Sequence, residues 1–338
     1  MSDKNSIFQD MQNDIENSIL NEDIKKTLYE SILKLKNEKV NLMITGATGC
    51  GKSSTINALF EEQVAKVGIG VDPETMDIKK FDLKNLILWD SPGLGDGKEK
   101  DNIHAKNIIN KLNEKDANGN ALIDLVLVII DGSSRDLGTS YELINNVIIP
   151  NLGENPNERI IIAINQADMA MKGRGWNHEL NKPESNLIQF LEDKIISIKK
   201  RIKEATAINV EPIFYAAGYK EISEDQIPYN LSKLLYLILK YTPKNKRLSY
   251  QDNISSNEKM WENNDELDDY NEKIKGGFIE TIQDGIDYVG DIGEEIGEIF
   301  GTGKTGKTMG KILGGIGGAV VAVGKSLYEG AKSFFSGW

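Results

Sequence analysis

"KVNLMITGATGCGKSSTINALF", residues 39–60, passes from an apolar run through a glycine-rich loop into a helical stretch. The run ends directly at Gly46, and the loop has the spacing G-x-x-x-x-G-K-[ST], with Gly46, Gly51, Lys52 and Ser53 in the required places. A strand that delivers free backbone N–H groups to the positive end of a helix is a cradle for phosphate. In such a cradle Lys52 would neutralise the β and γ oxygens, and Ser53 would offer its hydroxyl to Mg²⁺. Ala47, Thr48, Gly49, Cys50 and Ser54 complete the expected phosphate-binding set. Cys50 is the only cysteine. It excludes a disulfide framework and a cysteine-rich metal site, and it reads as a loop filler.

The same spacing recurs at residues 301–308, "GTGKTGKT". There the preceding residues, "YVGDIGEEIGEIF", carry acidic groups that would repel a triphosphate, and "MGKILGGIGG" follows. No buried strand leads into this second match. It reads as a lysine-bearing hinge between glycine-rich arms.

Outward from the first loop, short apolar runs recur at 85–90, 122–131, 159–165 and 211–217, separated by helical stretches near 102–113, 138–148, 185–205 and 229–240. Near-continuous apolar strands alternating with helices predict a doubly wound α/β domain with a parallel sheet covered on both faces. An amphipathic helix over 22–36 leads into it. The expected organisation is an N-terminal helical segment at 1–37, the α/β domain at 38–245, an acidic linker at 246–275 and a glycine-rich, helical tail at 276–338. That tail holds 17 of the 32 glycines. Its residues 278–300 set Ile279, Ile282 and Ile286 opposite Glu280, Asp284 and Asp287. The run 312–324 is too short to span a bilayer as a helix.

The net charge of -12 is unevenly placed. Residues 251–300 hold 15 acidic side chains against 3 lysines, and residues 301–338 hold 5 lysines against one glutamate. Pairing between these two arms is one expectation. No broad basic surface for nucleic acid is present, so the charge balance gives no support to RNA or ribosome binding. The acidic amino terminus lacks a basic-then-apolar leader, which predicts a cytoplasmic location. Peripheral membrane contact through 311–338 stays open.

Two further loops narrow the ligand. "LILWDSPGLGDG" places Asp90 at the end of an apolar strand, where its carboxylate can hold a Mg²⁺-bound water, and Gly93 three residues on offers a backbone N–H to a γ-phosphate. "NQAD", residues 165–168, follows another apolar strand. Ionised Asp168 is acceptor-only, which suits N1–H and N2–H₂ of guanine and opposes the bare N1 of adenine. Asn165 can bridge to the phosphate loop.

On "TGATGCGKSSTINALF", "VGIGVDPETMDI", "WDSPGLGDG" and "NQADMAMKGRGW", residues 38–242 resemble a G domain of the Era-like and septin-like branch of the translation-factor-related P-loop GTPases. Within it they are similar to the bacterial YfjP/YeeP-type domains labelled 50S ribosome-binding GTPase. The resemblance implies a mostly parallel sheet of six strands, GTP or GDP with Mg²⁺ as ligands, and Thr75 as the switch threonine that joins Ser53 and Asp90 at the metal. It makes Lys52, Thr75 and Gly93 the groups that act on the phosphates. Gln166 stands where many G domains have a lysine over the base, and the last base-contacting motif is reduced to Ala216 and Ala217. Leu94 replaces the glutamine that orients water in some relatives, so hydrolysis is expected to be slow without an effector or a second copy. The expected function is a slow Mg²⁺-dependent GTPase acting as a molecular switch. A nucleotide-binding module with negligible turnover and a membrane-acting or self-assembling GTPase stay open as alternatives.

Overall fold

The computed structural model describes residues 7–60, 78–95, 97–220, 225–286, 299–300 and 303–305. Its centre is a sheet of β1 (Val40–Gly46), β2 (Lys79–Leu83), β3 (Leu86–Asp90), β4 (Leu125–Asp131), β5 (Ile160–Asn165) and β6 (Ile213–Phe214). These six strands lie in the order β2-β3-β1-β4-β5-β6. All neighbours are parallel except β2, which runs antiparallel to β3. This agrees with the doubly wound, mostly parallel sheet expected from the alternation of apolar runs and helices.

The strands are apolar along their length because both faces are covered. Val40, Leu42 and Ile44 of β1 point into one core, and Met43 points into the other. The first core is closed by α1 (Ile7–Glu16), α2 (Glu22–Asn37), α3 (Lys52–Leu59), α7 (Leu231–Tyr241) and α8 (Tyr270–Ile286). The second is closed by α4 (Lys98–Asn113), by the turns that follow the short α5 (Gly138–Glu142), and by α6 (Ser185–Thr206). The expected helix over 138–148 is only in part α-helical, since residues Leu143–Ile148 wind as a π-helix. Edge strand β2, "KKFDL", escaped the sequence reading. Its exposed Lys79, Lys80 and Asp82 guard an open edge and hide the apolar pattern.

The stretch 246–275, expected as an acidic linker, is folded onto the domain. Trp261, Tyr250 and Ile254 are buried in the first core, and the Trp261 indole N–H donates to Ser255 O at 2.9 Å. Ile254 also forms a bridge with Phe60 at the end of α3. The polar text misled because a few large side chains, spaced among acids, do the burying. The helix expected from 278 begins at Tyr270 and sets Ile274, Phe278, Ile279 and Ile282 against α7 and the 244–250 turns. Its acids do not wait for the basic end. Glu280 pairs with Lys244 and Arg247, and Asp284 with Lys244. The lysine hydrogen bond, with the arginine beside it, holds the Glu280 carboxyl below its usual range. Residues 287–298 and 306–338, which hold the rest of the expected tail, lie outside the described residues.

Candidate functional site

The described loops at 47–51, 91–95, 166–168 and 215–218 each leave the carboxyl end of a sheet strand. Chain order reverses beside β1, the position where open α/β sheets form a ligand crevice. The phosphate loop itself needs glycine. Gly46, Gly49 and Gly51 have φ of 145°, 81° and 89°, values that side chains rarely adopt. A Cβ on Gly46 would stand 2.1 Å from Ile129 O, and one on Gly51 would stand 2.2 Å from Asn165 Nδ2. Lys52 folds back, donating from Nζ to Gly46 O at 3.0 Å and to Ala47 O at 3.2 Å. Thr48 and Gly49 face solvent, whereas Ser53 and Ser54 are half-buried. Cys50 is fully buried, and burial raises its thiol pKa, in keeping with a filler.

Asn165 is the hub of the site. Its Nδ2 donates to Cys50 O at 2.9 Å, and its Oδ1 accepts from Ala217 N at 3.0 Å. One buried amide thus ties the phosphate loop, the end of β5 and the loop after β6. The weak Ala216–Ala217 motif is thereby brought to the loop that follows β5. Gln166, at φ 58°, donates from Nε2 to Gly49 O at 2.8 Å. Its amide is spent on the phosphate loop. Asp168 is half-buried, and burial holds its carboxyl above the usual range, opposed by its own and the Met169 N–H, by the Gln226 amide and by His178. The Gln226 nitrogen faces this carboxylate but closes no bond of regular geometry. Trp176 packs edge-on to Tyr229 at 5.5 Å, and Tyr229 bridges Ala216.

Asp90 ends β3 beside Ile44 of β1. Burial raises its pKa, with Lys52 and Lys79 pulling the other way. Its Oδ1 is buried with no hydrogen-bond partner among the described residues, as are the hydroxyls of Thr45 and Ser91. A buried carboxylate oxygen without a donor fits a cation. Gly93 lies against the phosphate loop, where a Cβ would come within 2.1 Å of Gly46 O. Leu94 is buried in the second core. Thr75 lies outside the described residues.

The sequence reading missed four contributors. Thr55 Oγ1 lies 2.7 Å from the Tyr215 hydroxyl, which locks α3 to the end of β6. His104 and Asp101 of α4 reach the loop after Asp90. No motif marks them, because the contacts join segments that only folding brings together. The second G-x-x-x-x-G-K-[ST] match shows a different use of its backbone. Asp14 of α1 accepts from Lys304 N at 2.8 Å and from Thr305 N at 2.7 Å, so a carboxylate already sits where an anion would have to bind. Lys307 and Thr308 lie outside the described residues.

A glycine loop between β1 and α3, an aspartate closing β3, and an asparagine at the end of β5 that ties the glycine loop to the loop after β6 make the arrangement of a P-loop GTPase domain. Residues 41–166 match the family model of the 50S ribosome-binding GTPase. YfjP of Escherichia coli (strain K12) is 27% identical over 168 residues, 48% of this chain and 54% of its own length. YkfA of the same organism is 29% identical over the same shares. The chain therefore spans about half the length of these curated relatives. Among solved structures, Aquifex aeolicus Era bound to GDP·AlF₄⁻ is similar over 61% of this chain and 57% of Era, with 19% identity and a TM-score of 0.37.

Proposed function

We propose that this chain binds GTP with Mg²⁺ in the crevice above β1, β3 and β5, and hydrolyses it slowly as a switch. The observation that carries the reading is the Asn165 amide, which joins the phosphate loop to both segments expected around the base. Lys52, now on the carbonyls of Gly46 and Ala47, would turn to the β and γ oxygens. The loop N–H groups and the start of α3 would take the remaining charge. Asp168 is half-buried, and its carboxylate, which only accepts, is suited to two N–H groups on one edge of a base, which guanine has and adenine lacks. Ser53 and Asp90 are the described residues that would hold Mg²⁺, which would neutralise charge on the bound phosphates.

Slow turnover follows from Leu94. Its side chain is in the core and cannot orient water, so phosphoryl transfer depends on positioning and charge alone. Turnover by the protein alone is expected to be on the order of 10⁻³ s⁻¹, as in G domains that lack a supplied group. The same burial favours the second reading, a nucleotide-binding module with negligible hydrolysis. An effector or a second copy would supply the missing group, and the location is cytoplasmic. Among the described residues no helix is long and apolar enough to cross a membrane. The segment 311–338, for which peripheral contact stays open, lies outside them.

The test is competition of GTP, ATP and XTP against a labelled analogue, with phosphate release measured in parallel. The unmodified protein should select GTP. Asp168→Asn should lower GTP affinity by about two orders of magnitude and raise that for XTP, whose purine presents a carbonyl to the new amide donor. Equal competition by ATP would overturn the guanine reading. Absence of phosphate release with GTP bound would leave the binding module.

A further inference from the structure

We propose that Asp101 and His104, on one face of α4, are positioning residues that hold residues 93–95 against the phosphate loop and thereby set the preference for triphosphate over diphosphate. This deepens the reading of the site given above and rests on it. Gly93 is wedged from one side by the phosphate loop, since a Cβ would lie 2.1 Å from Gly46 O and 2.9 Å from Ala47 Cα. From the other side α4 makes two contacts. His104 Nδ1 lies 2.9 Å from Gly93 O, and Asp101 Oδ1 accepts from Gly95 N at 2.8 Å.

A carbonyl oxygen only accepts, so Nδ1 of His104 must carry the hydrogen. The two residues are three apart on a helix and share a face. One donates to the loop and the other accepts from it, so a slip of the loop by one residue breaks both contacts. His104 is 1% exposed, and Gly93 is buried as well. Loss of the imidazole donor would strand a buried carbonyl, which costs more than the bond itself contributes.

The consequence for the ligand is specific. The N–H of Gly93 would meet the γ-phosphate and no other part of the nucleotide. A loop already held in place meets that phosphate without reorganising, and a diphosphate makes no use of it. The clamp therefore enters the affinity for the triphosphate and not that for the diphosphate.

The test measures GTPγS and GDP affinity, with Mg²⁺, in the full chain and three variants. His104→Leu should lose about tenfold in GTPγS affinity while GDP affinity stays within about twofold. His104→Asn should restore most of the loss, because the asparagine Nδ2 stands where the imidazole Nδ1 stood. Asp101→Ala, at a half-buried position that a fold tolerates, should shift the ratio in the same direction by a smaller factor. Equal losses for both nucleotides, or an asparagine variant as poor as the leucine one, would show a core residue only and overturn the proposal. If the unmodified protein bound neither nucleotide, the reading of the site would fail. Amide exchange at Gly95 without nucleotide would then decide the clamp: faster exchange in Asp101→Ala and His104→Leu supports it, and unchanged exchange sinks it.

Discussion

Lys52 shows how a single side chain can be prepared for a ligand. Its ammonium rests on two loop carbonyls 3.0 and 3.2 Å away, contacts that hold it in the cradle without neutralising it. Lys52→Ala should lower triphosphate affinity by one to two orders of magnitude, roughly the value of a charge-assisted contact, with the circular dichroism unchanged. Lys307→Ala should leave affinity as it is. Titration calorimetry on both variants checks the choice between the two loops. Asp124, at the opposite end of the sheet, offers a second test. Burial raises its pKa despite the Lys246 ammonium at 2.7 Å and the Asn41 N–H at 2.8 Å. Between the unfolded value near 3.8 and the higher folded one, the native state binds more protons than the unfolded chain. Stability from this group is therefore present at low pH and lost as pH rises through that window. Asp124→Asn should flatten that part of the curve of urea midpoint against pH, and an unchanged slope would refute the assignment.

At the scale of elements, the piece after α7 is part of the domain. Trp261 and Tyr250 are buried, and α8 lays Ile274, Phe278 and Ile282 over α7. Trp261→Ala removes a buried aromatic and its hydrogen bond to Ser255 O, and should cost about 3–5 kcal/mol in urea unfolding. A chain ended near residue 245 should lose still more, with a lower Tm than any single variant. A truncated domain as stable as the whole would show that 246–286 is an appendage. Deleting 251–300 to free the basic end, which the charge pattern invites, would remove this core and confound its own readout.

At the scale of the whole molecule, the first and last described segments meet. Asp14 of α1 takes the amides of Lys304 and Thr305, and Phe300 is buried in the core that α1 closes. Asp14→Ala should release residues 303–305 from α1, seen as faster amide exchange there. Nucleotide affinity should be unchanged, since none of the described site residues bonds to α1. Slow exchange in that variant would mean that Phe300 alone holds the segment.

The local order of the site was legible in the sequence because each of its parts is a short segment with a fixed backbone need. A glycine pattern before a helix, an aspartate closing an apolar strand and an acid three residues after an asparagine each state their chemistry within a few positions. The alternation of apolar runs and helices likewise set the parallel sheet, since strands buried on both faces must be apolar throughout. What tertiary structure alone decided was which distant groups meet. The Asn165 bridge to Cys50 and Ala217, the hold of α4 on residues 93–95, and the capture of Gly303–Thr305 by Asp14 join positions with no shared pattern. The acidic stretch after residue 245 looked solvated because composition averages over side chains, whereas burial is settled by a few large ones meeting a matching face.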